Sequence, residues 1–152
     1  MKAISLWEPW ASLIRTGAKT WETRSWSTNY RGELLICASK AGLPFYELNH
    51  LLFCTPFQQG LAPLIGQELN FERVPCPSVK VMHLNFGKAV CVVNLTNCKK
   101  TEDLTLGQIE REKFFGDYTP GRFAWKLDGL KVIEPFQVKG RQGFFEVPCE
   151  GE

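Results

Sequence analysis

The stretch GAKTWETR, residues 17–24, gathers Lys19, Glu22 and Arg24 around a tryptophan. On an extended chain Glu22 and Arg24 stand two residues apart and share a face with Thr20 and Trp26. Lys19 nominally points the other way, but it lies at a helix-to-strand junction, where its long stem can swing back toward Glu22. A carboxylate held between two cations stays ionised and aimed. It would then accept hydrogen bonds from a base edge or an amide. The plainer reading is an ion pair tying strand to helix, and exposed pairs of that kind contribute little.

Aromatic residues crowd the same region. Of five tryptophans, Trp7, Trp10, Trp21 and Trp26 fall within twenty positions around the charged cluster. A tryptophan face stacks on a nucleobase at about 1–3 kcal/mol per base; the competing use of Trp7 and Trp10 is to fill the core. Arg15, Arg31 and Lys40 add basic groups nearby, enough for a local phosphate-binding surface. Lys139-Gly140-Arg141-Gln142-Gly143 is a basic, glycine-flanked turn. It is either a plain hairpin loop or a place where main-chain N–H groups and cations hold a phosphate.

Other chemistries find little support. Ser, His and Asp show no triad arrangement, and neither GxGxxG nor GxxxxGK[ST] occurs. The six cysteines, at 37, 54, 76, 91, 98 and 149, form no CxxC pair, and His50 and His83 are far apart. Metal-ligand spacing is absent, so no cofactor is called for. The cysteines read as small buried hydrophobes of a reducing compartment.

The elements that must position these residues are legible in outline. KAISLW, residues 2–7, reads as a strand. A helix follows with Pro9 in its first turn and Trp10, Leu13 and Ile14 on one face, ended by Gly17. Residues 31–40 form a buried strand, and Pro44 opens a helix with Phe45, Leu48 and Leu52 on one face. Residues 55–86, with Pro75 and Pro77, read as an irregular insertion. Residues 88–98 are the clearest core strand. TLGQIEREKFF, residues 105–115, reads as a helix with Thr105 and Gln108 as a capping box. RFAWKL, LKVIEPFQV and GFFEV close the chain as strands, with a hairpin at Asp128-Gly129.

The chain has 152 residues, 44% hydrophobic and 22% charged, which suits one domain with a real core. Eighteen Lys and Arg against 16 Asp and Glu leave +2, so nucleic-acid binding would need a local patch rather than bulk charge. The N-terminal apolar run is broken by Glu8 and Pro9 and reads as no signal peptide. No run approaches 18 apolar residues, so a cytoplasmic location is expected.

The combination of SLWEPWASLIRTGAKTWETRSW, YRGELLICASK, GRFAWKL and VKGRQGFFEV resembles the ASCH domain family of the PUA-like superfold. Gly17, Lys19, Glu22 and Arg24 meet its GxKxxExR motif in full. The resemblance implies an α+β fold. It would be a PUA-like mixed β-barrel of about five to seven strands with capping helices, in one domain spanning 1–152. It also implies binding of RNA, another nucleic acid or a nucleoside. Some members of the family are enzymes, N4-acetylcytidine amidohydrolases or a ribonuclease. In the amidohydrolases the motif lysine activates a threonine three residues on, and a strand glutamate completes the site. Here Glu22 stands at the threonine position, Asn94 near the acidic one, and Cys37 where many relatives carry histidine, so that route is not expected.

Two readings stay open. The first is a binding module using Trp7, Trp10, Lys19, Glu22, Arg24, Trp26, Lys40, Arg122 and Lys139. The second is a hydrolase, a metal-independent ribonuclease or N4-acylcytidine amidohydrolase-like enzyme, with Lys19 and Glu22 as catalytic residues. The second needs another titratable group beside that pair, and Tyr30, Tyr118 and Cys37 are the candidates.

Overall fold

The computed structural model describes residues 1–66 and 79–148. In chain order it contains strand β1 (Lys2–Leu6), helix α1 (Trp10–Arg15), strands β2 (Trp21–Arg24) and β3 (Gly32–Ala38), and helices α2 (Phe45–Phe53) and α3 (Thr55–Leu61). These are followed by β4 (Lys88–Lys100), the short helix α4 (Leu106–Ile109), β5 (Phe123–Gln137) and β6 (Phe145–Glu146). The architecture is α+β. One six-stranded sheet runs in the order β2-β5-β4-β3-β1-β6, with β1 and β3 parallel and the remaining pairs antiparallel.

The expected barrel is not closed: no ladder joins β2 to β6. Their ends nevertheless meet through side chains. Trp26 packs edge-on against Phe144 at 5.4 Å, and Arg24 of β2 donates to the carbonyl oxygen of Ser5 on β1, the strand next to β6, at 3.0 Å. The sheet curls, and aromatic rings fill the gap where backbone pairing stops.

Helix α1 lies between two apolar clusters. Ile14 and Ala11 pack on the sheet beside Trp125 and Val93, while Leu13 faces the opposite way into a cluster with Phe57, Leu61 and Phe115. Gly17 closes the helix at φ +86° with its N–H on the Ile14 carbonyl, a backbone conformation that favours glycine. Arg15 then pins the helix to β4 and β5, donating to the carbonyls of Val90 and Ile133.

Several sequence expectations change. Phe45 is 69% exposed, while Leu48 and Leu52 are buried; the first turn of α2 overhangs the surface on which the rest of the helix packs. The segment expected to be irregular opens with α3 and a 3-10 turn at Ala62–Ile65, because Pro56 sits where a helix tolerates it and Phe57 and Leu61 bury one face. Pro75 and Pro77 lie outside the described residues, as do Cys76 and Cys149. The capping box at Thr105 and Gln108 forms, but the helix stops at Ile109. A 3-10 turn at Glu112–Phe114 replaces its second half, with Glu112 and Phe115 turned inward.

The hairpin at Asp128-Gly129 is absent. β5 runs through it, and the pairing Asn94↔Asp128 followed by Val92↔Lys131 leaves one extra residue on β5. Gly129, at φ +60° and close to the Asn94 side chain, therefore forms a β-bulge, the other common use of a left-handed glycine. Cys37 and Cys91 are buried on the sheet, where burial pushes both thiols up to about 12. No helix among the described residues is long and apolar enough to cross a membrane.

Candidate functional site

The GxKxxExR stretch is held from both ends. Glu112 accepts from the backbone N–H groups of Thr20 (3.0 Å) and Trp21 (3.1 Å), fixing where β2 begins. From there β2 pairs with β5, Glu22 opposite Trp125 and Arg24 opposite Phe123. Alternation turns Trp21 and Thr23 inward and sends Glu22 and Arg24 to one wall of a cleft of about 1610 Å³.

Lys19 lies beneath that wall and not on it. Its side chain has no solvent exposure. Nζ donates to the carbonyls of Trp21 and Phe115, each at 2.8 Å, and sits 3.4 Å from Glu22 Oε1. Two carbonyls thus take hydrogen bonds from the ammonium, and the Glu22 carboxylate faces it as an ion pair. On its other side Glu22 meets Arg24 at 3.3 Å and accepts the Thr23 N–H. The carboxylate, 13% exposed, is thereby fixed in place with one edge toward the cleft. The floor unit carries two cations and one anion.

The other candidates converge on the same cavity. Trp7, Trp10 and Trp26 line it together with Lys40, Arg122 and Lys139. Trp7, at 49% exposure, offers the most open ring. Trp26 is held edge-on by Trp125 at 4.8 Å and by Phe144, so its faces are less accessible. Trp21 is buried and points elsewhere, with Lys126 over its ring at 5.3 Å, beside a smaller cavity of about 390 Å³. The stem of Lys40 lies across Gly87, whose missing Cβ would fall 2.8 Å from Lys40 Cγ.

Two carboxylates and five cations line the cleft. Arg24 pairs with Glu22 and Arg122 with Asp117 at 3.5 Å, whereas Lys40, Lys139 and Arg141 have no carboxylate partner among the described residues. Hydrogen bonds from the Thr119 side chain and backbone, then the nearby Arg122 charge, hold the Asp117 carboxyl below its ordinary value.

Of the three groups expected as possible partners for Glu22, Tyr118 alone comes near. Burial, then the Glu112 and Glu22 carboxylates, push its phenol up, and its hydroxyl is buried without a partner. Tyr30 donates to the Glu33 carbonyl and packs near Phe144. Cys37 lies in a separate apolar cluster with Ala3 and Phe145. Asn94 is exposed on β4, away from the cleft.

Two participants had no signal in the sequence. Ser5 looks like an ordinary strand residue, yet it lines the cleft. Glu112 looks like a helix-surface charge, yet it anchors β2. Both acquire their roles from contacts across the chain.

The family model of the ASCH domain matches residues 4–136, which include every element from α1 to β4 and nearly all of β5. Among curated proteins none matches the chain.

Proposed function

Because the chain belongs to the ASCH domain family, we propose that its cleft binds single-stranded nucleic acid, RNA foremost, or a nucleoside. The observation carrying this reading is the meeting of exposed Trp7 and half-buried Trp10 with a fixed Glu22–Arg24 pair and three cations that have no carboxylate partner among the described residues, in one cavity. A planar base stacks on an indole, Glu22 accepts from its exocyclic or ring N–H, and Lys40, Lys139 and Arg141, with Arg122 beside Asp117, neutralise the backbone. RNA reading by stacking and edge hydrogen bonds uses unpaired bases, which a cleft can receive.

The hydrolase alternative meets an obstacle in Lys19. Its ammonium is enclosed, hydrogen-bonded to two carbonyls and ion-paired with Glu22, and does not reach the cleft surface where a substrate would lie. The cleft carboxylates, Glu22 and Asp117, would have to act as base without it. Binding is therefore the better supported role.

The test is titration of a single-stranded RNA hexamer at several salt concentrations. Affinity should fall with salt as phosphates are neutralised, and Trp7→Ala should cost about 1–3 kcal/mol. No binding of RNA or DNA at low salt would overturn the reading. Turnover of RNA or acylated cytidine that is lost in Glu22→Gln would favour the enzyme instead.

A further inference from the structure

In the cleft that the 139–143 loop helps to line, two polar atoms stand without partners. Ser5 Oγ and Arg24 Nε are shielded from solvent and make no hydrogen bond, an arrangement folded proteins rarely keep unless the group has a further use. Arg24 spends its NH2 group on the Ser5 carbonyl and on Glu22. Its Nε is left over.

Ser5 is covered by the loop itself. Gly140 sits directly on Ser5: a Cβ there would lie 2.6 Å from Ser5 Oγ. Yet the loop is not fastened. No N–H of residues 139–143 donates to a backbone carbonyl, and none of their side chains forms a hydrogen bond or ion pair among the described residues. The loop brings Lys139 and Arg141 to the cleft. The acidic groups facing it are already matched, Glu22 by Lys19 and Arg24 and Asp117 by Arg122. Unspent donors, spare positive charge and no free acceptor therefore meet at one place.

We propose that Ser5, Arg24 and the 139–143 loop form an anion subsite that takes one phosphate of the ligand, the loop lifting from Ser5 to admit it. Ser5 Oγ and Arg24 Nε then donate to phosphate oxygens, and the freed loop amides close on the same group as a main-chain nest. This deepens the nucleic-acid reading of the cleft and rests on it for whose phosphate is bound. A phosphate fits because it offers more acceptor oxygens than a carboxylate, against donors arriving from two sides.

Limited trypsin digestion of the full chain reads the loop directly, since Lys139 and Arg141 are cleavage points. Inorganic phosphate should slow cleavage after Arg141, relative to chloride at equal ionic strength. Ser5→Ala and Arg24→Gln should each weaken that protection about tenfold in phosphate concentration, as expected for a lost hydrogen bond to a charged group. Gly140→Ala should hold the loop off Ser5 and speed cleavage without phosphate. The double variant Ser5→Ala/Gly140→Ala should restore the slower rate, because the nearest remaining Ser5 atom, its Cβ, lies 3.6 Å away. Protection by phosphate no greater than by chloride, or undiminished in both Ser5→Ala and Arg24→Gln, overturns the subsite. A single-stranded RNA hexamer separates the two ideas. If phosphate protects but RNA does not bind, the subsite stands and the nucleic-acid reading falls. If RNA binds wild type and Ser5→Ala alike while phosphate gives no protection, the reverse holds.

Discussion

Replacing Lys19 by methionine should damage the fold before it damages any ligand contact. Methionine keeps much of the stem's volume and removes the ammonium. Two hydrogen bonds from a charged donor disappear, to Trp21 O and Phe115 O at 2.8 Å each, leaving buried carbonyls without partners. Glu22, 13% exposed, loses one of its two cations, at 3.4 Å, and keeps Arg24 at 3.3 Å. Removing one member of a buried, hydrogen-bonded charge pair costs about 3–5 kcal/mol. In a chain of this length each kcal/mol moves Tm by about 2–4 °C, so Lys19→Met should melt about 6–20 °C lower. Urea denaturation followed by tryptophan fluorescence measures the loss, read from the midpoint at unchanged slope. A variant within about 1 kcal/mol of wild type would refute the argument that Lys19 is a structural tie between β2 and the turn carrying Phe115. Loss of ligand binding at unchanged stability would move Lys19 into the ligand site.

Glu8 supplies a pH prediction. Burial raises its carboxyl above the ordinary 4.5, partly offset by hydrogen bonds from Asn85 and Ser12. The folded state thus binds that proton more tightly than the unfolded chain, so the stability it contributes is full below about 4.5 and is lost as pH rises through the raised value. The stability of wild type minus that of Glu8→Gln, measured in urea, should fall with rising pH above 4.5; parallel curves would contradict this. Gly60 supplies a packing prediction, since a Cβ there would meet Leu13 Cδ2 at 2.7 Å, Ala18 Cβ at 3.1 Å and Phe115 Cζ at 3.3 Å. Gly60→Ala should destabilise by about 1–3 kcal/mol through overpacking, despite alanine's better helix propensity. A raised urea midpoint would contradict it.

Local rules carried the sequence reading where one element's own residues decide the outcome. Gly17 ending α1, Glu22 and Arg24 sharing a face of β2, and the capping box at Thr105 all follow from spacing and backbone preference within a few residues. The motif itself, with its ionic neighbours, was legible for the same reason. The reading failed where a partner distant in the chain competes. Asp128-Gly129 suits a hairpin or a bulge equally well, and the bulge forms because β4 extends beside it as a 13-residue partner. The helix from Thr105 stops early because Glu112 is drawn to the amides of Thr20 and Trp21, and Phe115 into the core.

The sequence by itself determined the family, the charged trio and the aromatic supply around it, since each is written in adjacent residue types. The tertiary structure alone decided what those residues do. It buried Lys19 while leaving Glu22 at the cleft wall, turned Trp21 away and Trp7 outward, and laid Gly140 over Ser5. The physical reason is that burial and hydrogen-bond satisfaction depend on every segment that packs against a side chain. For Lys19 those segments are β2 and the turn at Phe115, 96 residues further along the chain.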